Sequence, residues 1–177
     1  LRLLPLLFVR PGELRSMKWA DIDFEAHEWR YVAPKTKKDI IVPLAQQSIS
    51  ILEKLHPLTG HVELCFPSIR SALKPISDNT LNAAFRRMGF DKNTVTAHGF
   101  RATARTILDE VLLQRVEHIE HQLGHVVRDT NGVAYNRTKH LPARHKMMQL
   151  WADYLDGLKN QSAKIVPISR KKTLRQL

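Results

Sequence analysis

Between Asp21 and Val42 the apolar residues come in three short runs with strand-like spacing, and from Ala45 onward the spacing turns helical. Ile22 and Phe24 alternate with acids; Trp29, Tyr31 and Val32 make a second run; Ile40-Ile41-Val42 make a third, stopped by Pro43. Runs this short, joined by tight connections, pair as a small antiparallel sheet. The remaining core has to come from helices. The expected fold is mainly α, with a three-stranded antiparallel β-sheet near the start of the chain.

The punctuation fills in the rest. Residues 1–9 suit a helix ending at the Arg10-Pro11 step, because Pro11 pushes Arg10 out of the α region. Pro11 then opens a short helix through Met17, with Glu13 in its first turn. Ile49, Leu52 and Leu55 mark a helix from Ala45, broken at His56-Pro57. After a loop, the short run Leu64-Cys65-Phe66 ends at Pro67. Leu81, Ala84, Phe85 and Met88 share one face of a helix over Asn79 to Met88. Thr96 is an N-cap for a helix from Ala97 to about Leu108, and Leu112 to Leu123 is helical and closes at Gly124. Ala134-Tyr135-Asn136-Arg137 falls in a short helical or irregular segment. Pro142 opens a last helix with Leu150, Trp151, Tyr154, Leu155 and Leu158 on its apolar side, and from Asn160 the chain is polar and basic.

The 177 residues fit one domain with a real core. With 28 Lys and Arg against 17 Asp and Glu, the net charge of +11 attracts polyanions, nucleic acid before anionic membrane. No apolar run approaches the roughly 18–20 residues of a spanning helix. Residues 1–9 lack the basic flank and the cleavage site of a signal peptide. Cys65 stands alone, so no internal disulfide forms, which fits a reducing cytosol. The chain starts without Met and is expected to be a fragment.

Three basic clusters precede Tyr135: Arg10-Pro11-Gly12-Glu13-Leu14, His98-Gly99-Phe100-Arg101 and Leu123-Gly124-His125. A phenol titrates near ~10 and is a poor nucleophile at neutral pH. It becomes one when a base takes its proton and cations stabilise the anionic centre it attacks. Breaking a phosphodiester needs an in-line nucleophile, a base, positive charge on the equatorial oxygens and an acid for the leaving oxygen. Arg suits the oxygens because its planar fork is always charged. His118, His121 and His125 fall on one helical stripe, as metal ligands can. The sole Cys is distant, however, and Gly124 ends the helix before His125, so His118 and His121 read as surface or DNA-facing residues. Arg105, one turn beyond Arg101, reads as structural or as a DNA phosphate contact outside the site. Tyr31, beside Trp29, reads as a packing residue.

Arg10-Pro11-Gly12-Glu13-Leu14-Arg15, followed by Trp19 and Asp21-Ile22-Asp23, resembles the first active-site box of the tyrosine recombinases, or phage integrases. Thr96-Ala97-His98-Gly99-Phe100-Arg101 resembles the second, and Leu123-Gly124-His125 with Ala134-Tyr135-Asn136-Arg137 the last. Val42-Pro43-Leu44 and Trp151-Ala152-Asp153-Tyr154-Leu155 make the chain most similar to the P4-type prophage integrases, over roughly residues 1 to 158.

The resemblance implies the integrase catalytic-domain fold and a role for each matching residue. Tyr135 attacks the scissile phosphate, Arg10 and Arg101 clamp its oxygens, His125 donates to it and His98 accepts the phenol proton. Lys35, ahead of Lys37 and Lys38, is the acid for the leaving oxygen. Glu13 orients Arg10 or caps its helix. No metal, ATP or other cofactor is implied. The expected partner is double-stranded DNA, bound by a homo-tetramer. The last helix is expected either to dock on a neighbouring protomer through Trp151 and Leu155 or simply to pack. The expected domains are a catalytic unit over 1–160 and a basic tail over 161–177, without the family's upstream core-binding and arm-binding domains. The implied setting is the bacterial cytoplasm, at the nucleoid, in the integration and excision of a prophage or genomic island. The rival readings are type IB topoisomerase-like relaxation, an inactive DNA-binding remnant, and a metal nuclease.

Overall fold

The structure, a computed structural model, describes residues 1–34, 37–125 and 140–162. The chain opens with α1 (Leu3–Leu7) and α2 (Pro11–Arg15), then a 3-10 turn at Trp19–Asp21. β1 (Ile22–Asp23), β2 (Glu28–Val32) and β3 (Asp39–Pro43) form the expected antiparallel sheet in the order β1-β2-β3, with Trp29 opposite both Ile22 and Val42. Trp29 and Tyr31 are two apart on the central strand and so share a face. Their rings stack with centroids 4.2 Å apart.

α3 (Gln46–Thr59) runs through Pro57 instead of breaking there. The proline sits in the last turn, where it withdraws one N–H and nothing continues far beyond it. The Trp19 ring packs edge-on against His56, and its Nε1 donates to the Thr59 carbonyl at 3.0 Å, which holds that turn in place. After Phe66, where the sequence predicts no element, β4 (Pro67–Ser68) and β5 (Ser71–Pro75) form a hairpin. Its side chains are largely exposed, so no alternation advertised it.

α4 (Thr80–Arg87) buries Leu81 and Phe85 but leaves Met88 exposed. α5 (Gly99–Glu110) starts later than expected, yet the Thr96 hydroxyl still accepts the Gly99 N–H at 3.0 Å. α6 (Val116–Gln122) is shorter than Leu112 to Leu123, because Leu113 takes a left-handed φ of 51° that separates it from α5. α7 (Leu141–Ser162) continues past Asn160. Among the described residues no helix is long and apolar enough to cross a membrane.

α1 lies between two buried clusters. Leu4, Leu7 and Val9 join Trp29, Val42 and Leu52, whereas Phe8 joins Leu108, Ile119, Met147 and Trp151. One expectation on the helices is corrected here. His118 and His121 are buried rather than surface-facing, packed against His140 at ring distances of 4.8 and 5.6 Å. Of the two alternatives for Trp151 the structure shows packing: it is enclosed in its own chain's core, edge-on to Phe8 and bonded through Nε1 to the Pro5 carbonyl, while Leu155 is half-buried. Both outcomes have one cause. A helical stripe fixes which residues share a face, not which neighbour covers it.

Candidate active site

Arg10 is the N-cap residue of α2, and the start of that helix is organised by the Glu13 side chain. Glu13 accepts from the Arg10 N–H at 3.0 Å through Oε2 and from Nη1 at 2.8 Å through Oε1. Glu13 therefore does both things expected of it: it caps the helix and orients the guanidinium. A third bond reaches the same carboxylate, as the Tyr31 hydroxyl donates to Oε2 at 2.9 Å. Burial, then the adjacent Glu13 charge, pushes the Tyr31 phenol well above its ordinary value, so it remains a donor.

Arg101 is buried on the first turns of α5, and two of its N–H groups go to neutral carbonyls. Nη1 donates to Phe8 at 2.9 Å and Nη2 to Leu123 at 2.8 Å. Phe8 has a left-handed φ of 37°, a strained conformation for a residue with a side chain, and it lies two residues before Arg10. Leu123 lies two residues before His125. Arg101 thus fastens the segment carrying Arg10 to the one carrying His125. Burial, then the nearby Arg10 charge, lowers Arg101 from its ordinary value. Gly124 closes the cluster: a Cβ built there would stand 3.9 Å from Arg10 Nη1 and 3.4 Å from Ile40 Cδ1.

His125 is half-exposed. Its Nδ1 meets Glu120 Oε2 at 2.5 Å, and Arg105 Nε donates to Glu120 Oε1 at 2.8 Å. His98 is exposed at the N-cap of α5, one turn before Arg101 on the same face. The structure therefore gathers Arg10, Arg101 and His125, and puts His98 on the helix that holds Arg101. Lys35 and Tyr135 lie outside the described residues. Lys37 and Lys38 sit in the β2–β3 turn, where the Ala33 N–H donates to the Lys38 carbonyl at 2.7 Å.

The description "Phage integrase family" matches residues 2–141 of this chain. The chain belongs to the phage integrase family. As an integrase-family chain it is 40% identical to the integrase of Enterobacteria phage P4, over 94% of this chain and 42% of that protein. It is 36% identical to the prophage integrase IntA of Escherichia coli strain K12, over 93% of this chain and 40% of that protein. The integrase-family chain thus spans about two fifths of the length of these relatives. Among solved structures it is similar to the XerA recombinase (TM-score 0.58, 21% identity, covering 90% of this chain and 54% of that one). It is also similar to a lambda integrase tetramer bound to a Holliday junction (TM-score 0.54, 26% identity, covering 76% and 41%). The P4-type tyrosine recombinase resemblance and the fold expected from it both stand.

Three residues of the cluster have no sequence motif that puts them there: Tyr31 reads as packing beside Trp29, Arg105 as a residue outside the site, and Glu120 belongs to none. The one available signal for Glu120 is its place five residues before His125 across a glycine that ends a helix.

Proposed function

We propose that this chain is the catalytic domain of a site-specific tyrosine recombinase that cuts and rejoins double-stranded DNA. One observation carries the reading. The guanidiniums of Arg10 and Arg101 and the turn before His125 converge, and Arg101 meets only neutral acceptors in its own hydrogen bonds. Two adjacent fixed cations attract an anion, and a planar fork suits a phosphate.

In this reading Arg10, Arg101 and His125 hold the non-bridging oxygens of the scissile phosphate. Tyr135 Oη bonds to phosphorus as the bond to the 5′-oxygen breaks, leaving a 3′-phosphotyrosyl link. His98 takes the phenol proton and Lys35 gives one to the departing 5′-oxygen. The link preserves the phosphodiester energy, so rejoining requires no ATP, and side chains supply every charge and proton, so it requires no metal.

Residues 1–160 serve as the catalytic unit, with 161–177 a basic tail. The working form is a homo-tetramer on two DNA sites, since each exchange cuts four strands; the lambda integrase tetramer on a Holliday junction supports this. With Trp151 enclosed, Leu155 is the one of the two expected residues left for a contact between protomers through α7. The relatives are named integrases, which favours integration and excision of a prophage or genomic island over relaxation; the expected setting of that work is DNA in the bacterial nucleoid.

The test is a nicked suicide duplex carrying the attachment site, run on a denaturing gel with EDTA present. Wild-type chain is expected to form a covalent adduct. Tyr135→Phe is expected to form none while binding DNA equally well. An adduct in the variant rejects Tyr135 as nucleophile, and loss of the wild-type adduct in EDTA revives a metal.

A further inference from the structure

We propose that Glu120 is a positioning residue for His125, holding the ring by Nδ1 so that Nε2 is the atom offered to the phosphate. The inference rests on the recombinase reading above and deepens it.

Glu120 and His125 are joined twice. Their side chains meet at 2.5 Å, and the His125 N–H donates to the Glu120 carbonyl at 3.0 Å. The second bond belongs to the closing turn of α6. The Gly124 N–H also donates to the His121 carbonyl at 3.1 Å, and Gly124 takes the left-handed φ of 67° that lets the chain reverse. This pair of bonds is the Schellman helix terminus, in which the two residues placed as Glu120 and His125 are here usually make a hydrophobic contact. In this chain that contact is replaced by a carboxylate and an imidazole. The turn is an ordinary way to end a helix; the side-chain bond across it is an added device.

The carboxylate is itself fixed. Arg105 Nε holds Oε1, so Oε2 is the oxygen left for His125. Burial pushes the Glu120 carboxyl up, but the bonds from His125 and Arg105 outweigh it and hold the group below its ordinary value. Glu120 is therefore an ionised acceptor near neutral pH. A carboxylate can only accept, so the ring atom facing it is Nδ1–H, and Nε2 is the nitrogen left to face the phosphate. The ring is half-exposed, so without this bond little would stop it turning. Arg105, one turn beyond Arg101 on α5, anchors the carboxylate to the helix that clamps the phosphate.

The experiment uses the 177-residue chain, with Glu120→Ala and Glu120→Gln, each alone and with His125→Ala. Single-turnover cleavage of the suicide duplex at saturating DNA is expected to fall between about ten- and a hundredfold in Glu120→Ala, as for a misplaced catalytic group. Glu120→Gln should fall less, since its carbonyl can still accept the Nδ1 proton. DNA affinity should not change. In the His125→Ala background the Glu120 substitutions should have no further effect. The imidazole nitrogen spectrum of the free protein should show a protected His125 Nδ1–H that Glu120→Ala abolishes. Equal losses in both backgrounds, or wild-type cleavage in Glu120→Ala, would overturn the inference while leaving the recombinase reading intact. A wild-type chain that forms no adduct would overturn both.

Discussion

Tyr31 and Glu13 share a 2.9 Å hydrogen bond that ties the central strand of the sheet to the helix organised around Arg10. Glu13 is buried and takes three donors: the Arg10 N–H, the Arg10 guanidinium and the Tyr31 hydroxyl. The Tyr31 ring is held in turn by its stack on Trp29, which is fully buried. The orientation of Arg10 is thus set by the sheet, through two aromatic rings and a carboxylate.

Tyr31→Phe keeps the stack and removes one of the three donors to Glu13. A lost bond to a buried charged acceptor costs about 1–3 kcal/mol. The variant is expected to melt earlier and to cleave more slowly at saturating DNA, with DNA affinity unchanged, by urea denaturation and single-turnover assay. Wild-type values of both would mean that Tyr31 only packs.

Arg101→Lys removes the fork that spans the Phe8 and Leu123 carbonyls. One ammonium cannot hold both segments and face a phosphate as well. The cleavage rate at saturating DNA is expected to drop by about 10²–10³, the usual loss for one oxyanion donor. Binding should be much less affected, because most affinity comes from phosphate contacts elsewhere. Near wild-type cleavage by the lysine variant would remove Arg101 from the reacting phosphate.

Gly124→Ala tests the turn before His125. A side chain at φ 67° costs roughly 1–2 kcal/mol, and the new Cβ would stand against Ile40. Both stability and cleavage should fall. A variant that loses stability but keeps its cleavage rate would show that the turn does not place His125.

The buried His118 makes stability pH-dependent. Burial, then the neighbouring His140, lowers His118 below its ordinary value of 6.5; Arg115 and Arg144 act in the same direction and Glu117 against it. The unfolded chain therefore binds the proton more readily than the folded one. The stabilising effect of the neutral ring is complete above the ordinary value and is lost as pH falls below it toward the depressed one. The urea midpoint is expected to drop between about pH 7 and 5.5, above the range where carboxylates titrate. The drop should be smaller in His118→Gln, and an equal drop in both would assign the effect elsewhere.

The sequence made much of this legible, for physical reasons. The three strands could be read because Trp29, Ile40 and Val42 recur with the period of a half-buried strand. Arg10, Arg101 and His125, which the structure brings together, stand out in the sequence because they match the integrase-family boxes. The β4–β5 hairpin could not be read, since Leu73 and its neighbours are exposed and carry no burial pattern. Nor could the roles of Tyr31 and Glu120. Both depend on partners that only the sheet's packing and a helix-ending turn bring together.

The central claim is that one tyrosine attacks the phosphate, and mapping the adduct tests it most directly. Wild-type chain would be trapped on the suicide duplex, digested, and its DNA-linked peptide identified by mass spectrometry. The account predicts a phosphotyrosyl link on the peptide containing Tyr135. A link to Tyr31 or Tyr154, or cleavage with no protein–DNA link at all, would contradict it.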